Sequence, residues 1–183
     1  GEYILSQIDD KAIKVLRENL LIWSGWPANV IELDASDIVL PAKNNEQKYG
    51  LRIIKELNWK PIKLFILSLL WRSAASEREE MDTVTIPNFL LEKLRMAILN
   101  YDSLSSREFP VRLHQIANKA FTHNRTPFIA EDTIDFGFPV GIRHYTVCRL
   151  YLDGLAAYIT LDPDENFLDS SQALLLGGSN ETI

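Results

Sequence analysis

The sequence predicts an α+β fold, with helices packed in its first half and a small antiparallel sheet in its second. Three observations carry that prediction. Residues 61–76 are polar only at Lys63, Ser68, Arg72, Ser73 and Ser76, so a helix there is apolar on nearly every side and has to be buried. Pro87 then opens an amphipathic stretch in which Phe89, Leu90, Leu94, Ile98 and Leu99 line one side. In the second half, Asp153-Gly154 joins two runs rich in β-branched and aromatic residues, 145–152 and 155–161. That is hairpin chemistry, because both turn residues must tolerate positive φ.

Each element follows in order. Asp9 or Asp10 is placed to cap a helix running to about Leu21, with Ile13, Leu16, Leu20 and Leu21 at helical spacing. Gly25 and Pro27 end it. Residues 30–40 alternate like extended chain, 41–45 read as a loop, and 46–57 reads as a short helix despite Gly50. The apolar helix follows, with Pro61 in its first turn, where a missing N–H costs nothing. It is too short for a membrane span, which needs roughly 20 apolar residues. Residues 83–86 suggest a short extended piece. Past the polar connector 103–108, segments beginning at Phe109 and Thr126 have strand character. Beyond Pro163 the chain reads as a flexible tail over 163–183, with Leu174-Leu175-Leu176 as a last docking contact. We therefore expect one domain over 1–162.

Composition bounds the function. The chain has 183 residues, 46% hydrophobic and 24% charged, ordinary values for one globular domain. A net charge of −6 and a pI near 5.1 argue against tight, nonspecific binding to a phosphate backbone. Cys148 is the only cysteine, so the chain can build neither an intrachain disulfide nor a cysteine-based zinc site. A reducing, cytoplasmic setting follows as the expectation. The first residues carry no basic leader, and the start at Gly1 rather than Met reads as a processed or engineered fragment.

Candidate chemistry is sparse. Ser68, Arg72 and Ser76 are spaced four apart and share one side of the apolar helix. They form either a polar seam that holds a ligand or a structural arginine paired with an Asp or Glu. His114, His123 and His144, with Glu131, Asp132 and Asp135, supply the residue types of a metal or hydrolytic site, but at no recognised ligand spacing. No nucleophile motif is present: Ser105-Ser106 lies in a connector and Cys148 in mid-strand. Gly137 to Gly141 lacks the Lys of a phosphate loop. The region 107–149 is mildly basic through Arg107, Arg112, Lys119, Arg125, Arg143 and Arg149, with Phe121, Phe128 and Tyr145 interleaved. It offers an auxiliary nucleic-acid contact rather than a dedicated binding domain.

The stretch Lys63-Leu-Phe-Ile-Leu-Ser-Leu-Leu-Trp-Arg-Ser-Ala-Ala-Ser76, followed by Leu90-Leu-Glu-Lys-Leu-Arg-Met96, resembles a little-characterised group of bacterial proteins. In that group a K-L-F-x-L-S-x-L-W-R-A helix precedes an amphipathic E-x-L-R helix. Its fuller members are similar to HNH-type endonuclease proteins, with a cysteine-rich, treble-clef-like zinc module upstream. This chain lacks the zinc cysteines and the catalytic His. The resemblance therefore implies the accessory C-terminal part, with Gly1-Glu2-Tyr3 just after the missing module. Trp71 and Arg72 match the motif, and no catalytic residue carries over.

The expected function is a noncatalytic accessory or interaction domain of a bacterial protein, linked to nucleic-acid processing or defence. Its expected partners are another protein or the missing N-terminal zinc module, with nucleic acid secondary, and with no membrane, metal or cofactor. The alternative is a metal-dependent hydrolase or nuclease using the Asp, Glu and His residues of 114–144. A third reading is a small-molecule domain with a pocket beside Arg72.

Overall fold

In the computed structural model, which describes residues 2–33, 38–40, 49–120, 125–178 and 181–182, helices dominate the first half and an antiparallel sheet the second. The chain is α+β. α1 (Glu2–Glu18) buries Ile8, Ala12 and Leu16, one residue per turn along one side. It starts well before Asp9 and Asp10, which lie inside it rather than capping it, because Ile4 and Leu5 extend the apolar side upstream. Leu20 ends it in a left-handed conformation (φ 55°), and the Leu21 N–H returns to the Leu16 carbonyl at 2.9 Å. Gly25 and Pro27 act only after that stop.

Of the expected helix over 46–57, the described residues 49–57 are not helical. β1 (Ile38–Leu40) pairs with β2 (Tyr49–Leu51), and β3 (Ile54–Lys55) pairs with β8 (Glu181–Thr182), both antiparallel. Gly50 opposes helix formation, and Ile53-Ile54 favours extended chain. Residues 41–48 and His123 lie outside the described residues.

α2 (Trp59–Ala74) is the central helix, with Ile62, Leu67 and Leu70 fully buried, as its all-round apolarity demands. It packs between α1 and α3 (Asn88–Leu99) and against the sheet. The buried stripe of α3 is Leu94, Ala97 and Ile98, backed by Leu90 and Leu91. Phe89 is 72% exposed and Leu99 43%, against expectation. At about 100° per residue both point roughly 140° away from Leu94. Residues 83–86 are irregular rather than a strand, yet bury Val84 and Ile86.

β4 (Val111–Gln115), β5 (Phe128–Asp135), β6 (Ile142–Leu152) and β7 (Leu155–Thr160) form an antiparallel sheet in the order β4-β7-β6-β5. Asp153 (φ 45°) and Gly154 (φ 83°) make the tight β6–β7 turn. Of the expected flexible tail over 163–183, the described residues 163–178 are held down on the fold. Asp164 caps α4 (Glu165–Ser171) by accepting from the Phe167 N–H at 2.9 Å, and Phe167 is fully buried. Leu175 and Leu176 are buried too, and the Leu176 N–H donates to the Val111 carbonyl at 2.8 Å on the edge of β4. Phe167 and two of the three leucines supply the apolar area that holds this segment down. Leu174 stays exposed.

Candidate functional site

Alternation along the strands gives the sheet two unlike faces. Val111, Cys148, Leu150, Leu155, Ala157 and Ile159 point to the helices and join the main core. On the outer face, Phe167, Leu168 and Leu175 cover Tyr145 and Val147 as a second small core. Among the described residues the rest of that face is half-buried at Phe128, Arg149, Tyr158, Arg112 and Tyr151 and exposed at His114.

Register sets what the open part carries. Phe128, Arg149, Tyr158 and Arg112 are successive cross-strand partners, so aromatic and cationic side chains alternate across all four strands. The next row runs Tyr151, Ala156, His114. The Arg149 guanidinium lies 4.9 Å from the Tyr158 ring centre, and that of Arg112 lies 5.5 Å from Phe167. His114 stacks on Tyr158 with centroids 4.3 Å apart, and Phe128 stacks on Tyr151 at 6.2 Å.

Asp132 organises both cations. Its Oδ2 accepts from Arg112 Nη2 at 2.7 Å and its Oδ1 from Arg149 Nη2 at 2.5 Å. The three side chains keep 14%, 18% and 27% of their surface for Asp132, Arg112 and Arg149. Two guanidiniums against one carboxylate leave a local charge of about +1, half withdrawn from water. The Nε atoms of both arginines are buried and find no hydrogen-bond partner among the described residues. The Asp132 hydrogen bond raises Arg149 above its ordinary value. Desolvation, then the Arg112 guanidinium, lowers the His114 imidazole to about 4, although part of the residue's surface still reaches solvent. His114 is therefore a neutral ring at pH 7.

Of the sequence-derived candidates, Arg72 meets Asp9 of α1 through two hydrogen bonds and Ser68 Oγ at 3.0 Å. Ser76 instead accepts from the Arg78 N–H at 3.2 Å, where the chain leaves α2. Glu131 and Asp135 share one face of β5 while Asp132 points to the other, as residues one apart in a strand must. His144 meets Glu131 at 3.0 Å and Thr133 at 3.2 Å, both through Nδ1, so the ring relays no proton between them. Among the described residues no three His, Cys, Asp or Glu side chains are grouped to hold a metal ion. Cys148 is buried, and desolvation pushes its thiol up to about 12. Gly137 to Gly141 form the β5–β6 hairpin tip, carrying a fully exposed Phe138. Arg107 binds Glu165 and Asp169 of α4. Phe121 lies outside the described residues.

Behind the sheet, a small, partly open apolar space of about 10 Å³ is bordered by Leu16, Phe65, Leu150 and Ala157. It is at the lower limit for a single water. The surface depression beside Asp9 is an open side of α1 alone.

Sequence reasoning missed Lys63. Its side chain is fully buried, and its Nζ donates to the Ser105 carbonyl and, at 2.9 Å, to the Glu108 carbonyl. The signal was a lone lysine inside the most apolar run of the chain.

Comparison with protein-family models, with curated proteins and with solved structures returns no match.

Proposed function

We propose that this chain is a noncatalytic accessory domain that engages its partner through the open half of the outer sheet face. The observation that carries the reading is the row Phe128–Arg149–Tyr158–Arg112, fixed by Asp132 and only half-buried among the described residues, with Arg112 lying against Phe167 of α4 and the row running on from there. Aromatic rings and arginines are the side chains that dominate recognition surfaces, and holding them rigid lowers the entropic cost of binding. The likeness of 63–76 and 90–96 to bacterial HNH-endonuclease-like proteins supports a setting in nucleic-acid processing or defence, beside a partner protein or a zinc module. α2, which carries that likeness, serves as the scaffold of the core.

The hydrolase alternative gains no support from the geometry. Asp132 points to the opposite face from Glu131 and Asp135, the histidine contacts use a single nitrogen, and the thiol is buried. A direct test incubates the chain with single- and double-stranded DNA and RNA in Mg²⁺, Mn²⁺ or Zn²⁺ and, without nucleic acid, follows its melting with each metal. The expected result is intact nucleic acid and a melting temperature unmoved by the metals. Metal-dependent cleavage that disappears in Glu131→Ala would replace this proposal with the hydrolase.

A further inference from the structure

We infer that the open half of the outer sheet face binds single-stranded nucleic acid, with unpaired bases stacking on His114 and Tyr151 and the Arg112–Arg149 pair facing the phosphates. The inference rests on reading this face as the interaction surface and adds the chemistry of the ligand. Charge is the first argument. Asp132 neutralises only one of two half-buried guanidiniums, and an anion is what a partly desolvated excess cation lacks.

The rings are the second argument. A simple anion would need only the arginines, whereas this site sets flat rings in the adjoining row, and every nucleobase offers a face to stack on such rings. His114 is the most solvent-open of these rings. Being neutral at pH 7, it stacks without adding charge.

Shape and overall charge then select the strand. Small ligands are taken up in concave pockets, and the two rows lie on an open sheet face, over which a mononucleotide would leave most of its surface in water. A duplex keeps its bases stacked on one another, and binding it through the backbone alone needs many cations. A chain of net charge −6 with one excess positive charge at the site is poorly equipped for that.

The test uses the whole chain at low salt, with fluorescently labelled oligo-dT and oligo-U, a duplex of equal length, and free dTMP and UMP. Saturable binding of the strands is expected, weaker for duplex and for mononucleotides. The slope of log K against log salt should be about −1, because only one or two phosphates are neutralised. His114→Ala and Tyr151→Ala should each weaken binding about tenfold, and Lys14→Ala on the far side of α1 should not. Amide shifts on titrating the wild-type chain should cluster at Arg112, His114, Arg149, Tyr151 and Tyr158, a reading that survives even if a variant fails to fold. No saturable binding, or equal binding of duplex or mononucleotide, overturns the inference and leaves the interaction-surface reading standing. Strand binding with shifts on another surface overturns both.

Discussion

Arg72 of α2 grips Asp9 of α1 through both ends of its guanidinium, with Nη1 3.1 Å from Oδ2 and Nη2 2.8 Å from Oδ1. Ser68, one turn back, holds the same Nη2 at 3.0 Å. The pair ties the two longest helices at the point where α2 turns polar. Its side chains keep 32% and 34% of their surface, so solvent screens part of the attraction. Arg72→Ala and Asp9→Ala should each cost about 1 kcal/mol, with most of that appearing as coupling in a double-mutant cycle. Urea denaturation of the four proteins measures it. Additive effects of the two changes would show that the ion pair contributes nothing.

Gly154 is constrained both by its backbone conformation and by the ring packed against it. It sits at φ +83°, and a Cβ built there would fall 2.3 Å from the Trp23 indole nitrogen. That indole N–H donates to the Ile116 carbonyl at 2.9 Å, and the Trp23 backbone N–H donates to the Asp153 carbonyl at 2.8 Å. The hairpin turn is thus also a docking point for the segment after α1. Gly154→Ala combines backbone strain with displacement of the ring, so the expected loss is about 3 kcal/mol. Thermal melting checks it, and a change below a few tenths of a kcal/mol would show that Trp23 moves aside freely.

Local chemistry explains which of these features could be read in advance. The burial of α2 and the Asp153-Gly154 turn are written in short stretches of sequence, so both were legible. Asp9 has the look of a helix cap, but its use is a guanidinium 63 residues away, and no local pattern reveals that. Phe167 resembled part of a loose tail because the face it covers exists only once the sheet is paired. The same limit applies to the candidate site. Arg149 and Tyr151 alternate visibly along β6, but their neighbours Phe128, Tyr158, Arg112 and His114 come from three other strands and are fixed by register.

The His114 imidazole gives the fold an acid-side pH dependence. Its folded value of about 4 lies below the ordinary 6.5, chiefly through desolvation and then through Arg112. Between those values the unfolded chain binds more protons than the native one, so this group's contribution to stability falls as pH drops from about 6.5 towards 4. His114→Gln should flatten that part of the stability–pH profile. Because part of the residue stays open to water, the effect should be modest. NMR titration of the ring provides the direct check. A midpoint at the ordinary histidine value would abolish the predicted slope, and one above it would reverse it.

Lys63 should have the larger effect. The ammonium is fully buried under the 103–108 connector and donates to two backbone carbonyls there. Lys93 binds the Glu108 carboxylate at 2.6 Å from above. Lys63→Met keeps the length of the side chain but strands both carbonyls, at an expected cost of about 2–4 kcal/mol, with faster amide exchange over 103–108. Desolvation lowers the lysine from 10.5 to about 8, against the opposing pull of Glu108 and Asp102. Across that interval the native chain holds fewer protons than the unfolded chain, so this group's burial penalty is relieved and stability rises with pH. In Lys63→Met that alkaline rise should vanish while the acid-side dependence on His114 persists. Stability measured by urea denaturation from pH 7 to 11 separates the two effects, and an alkaline rise that survives in Lys63→Met would assign the proton to another group.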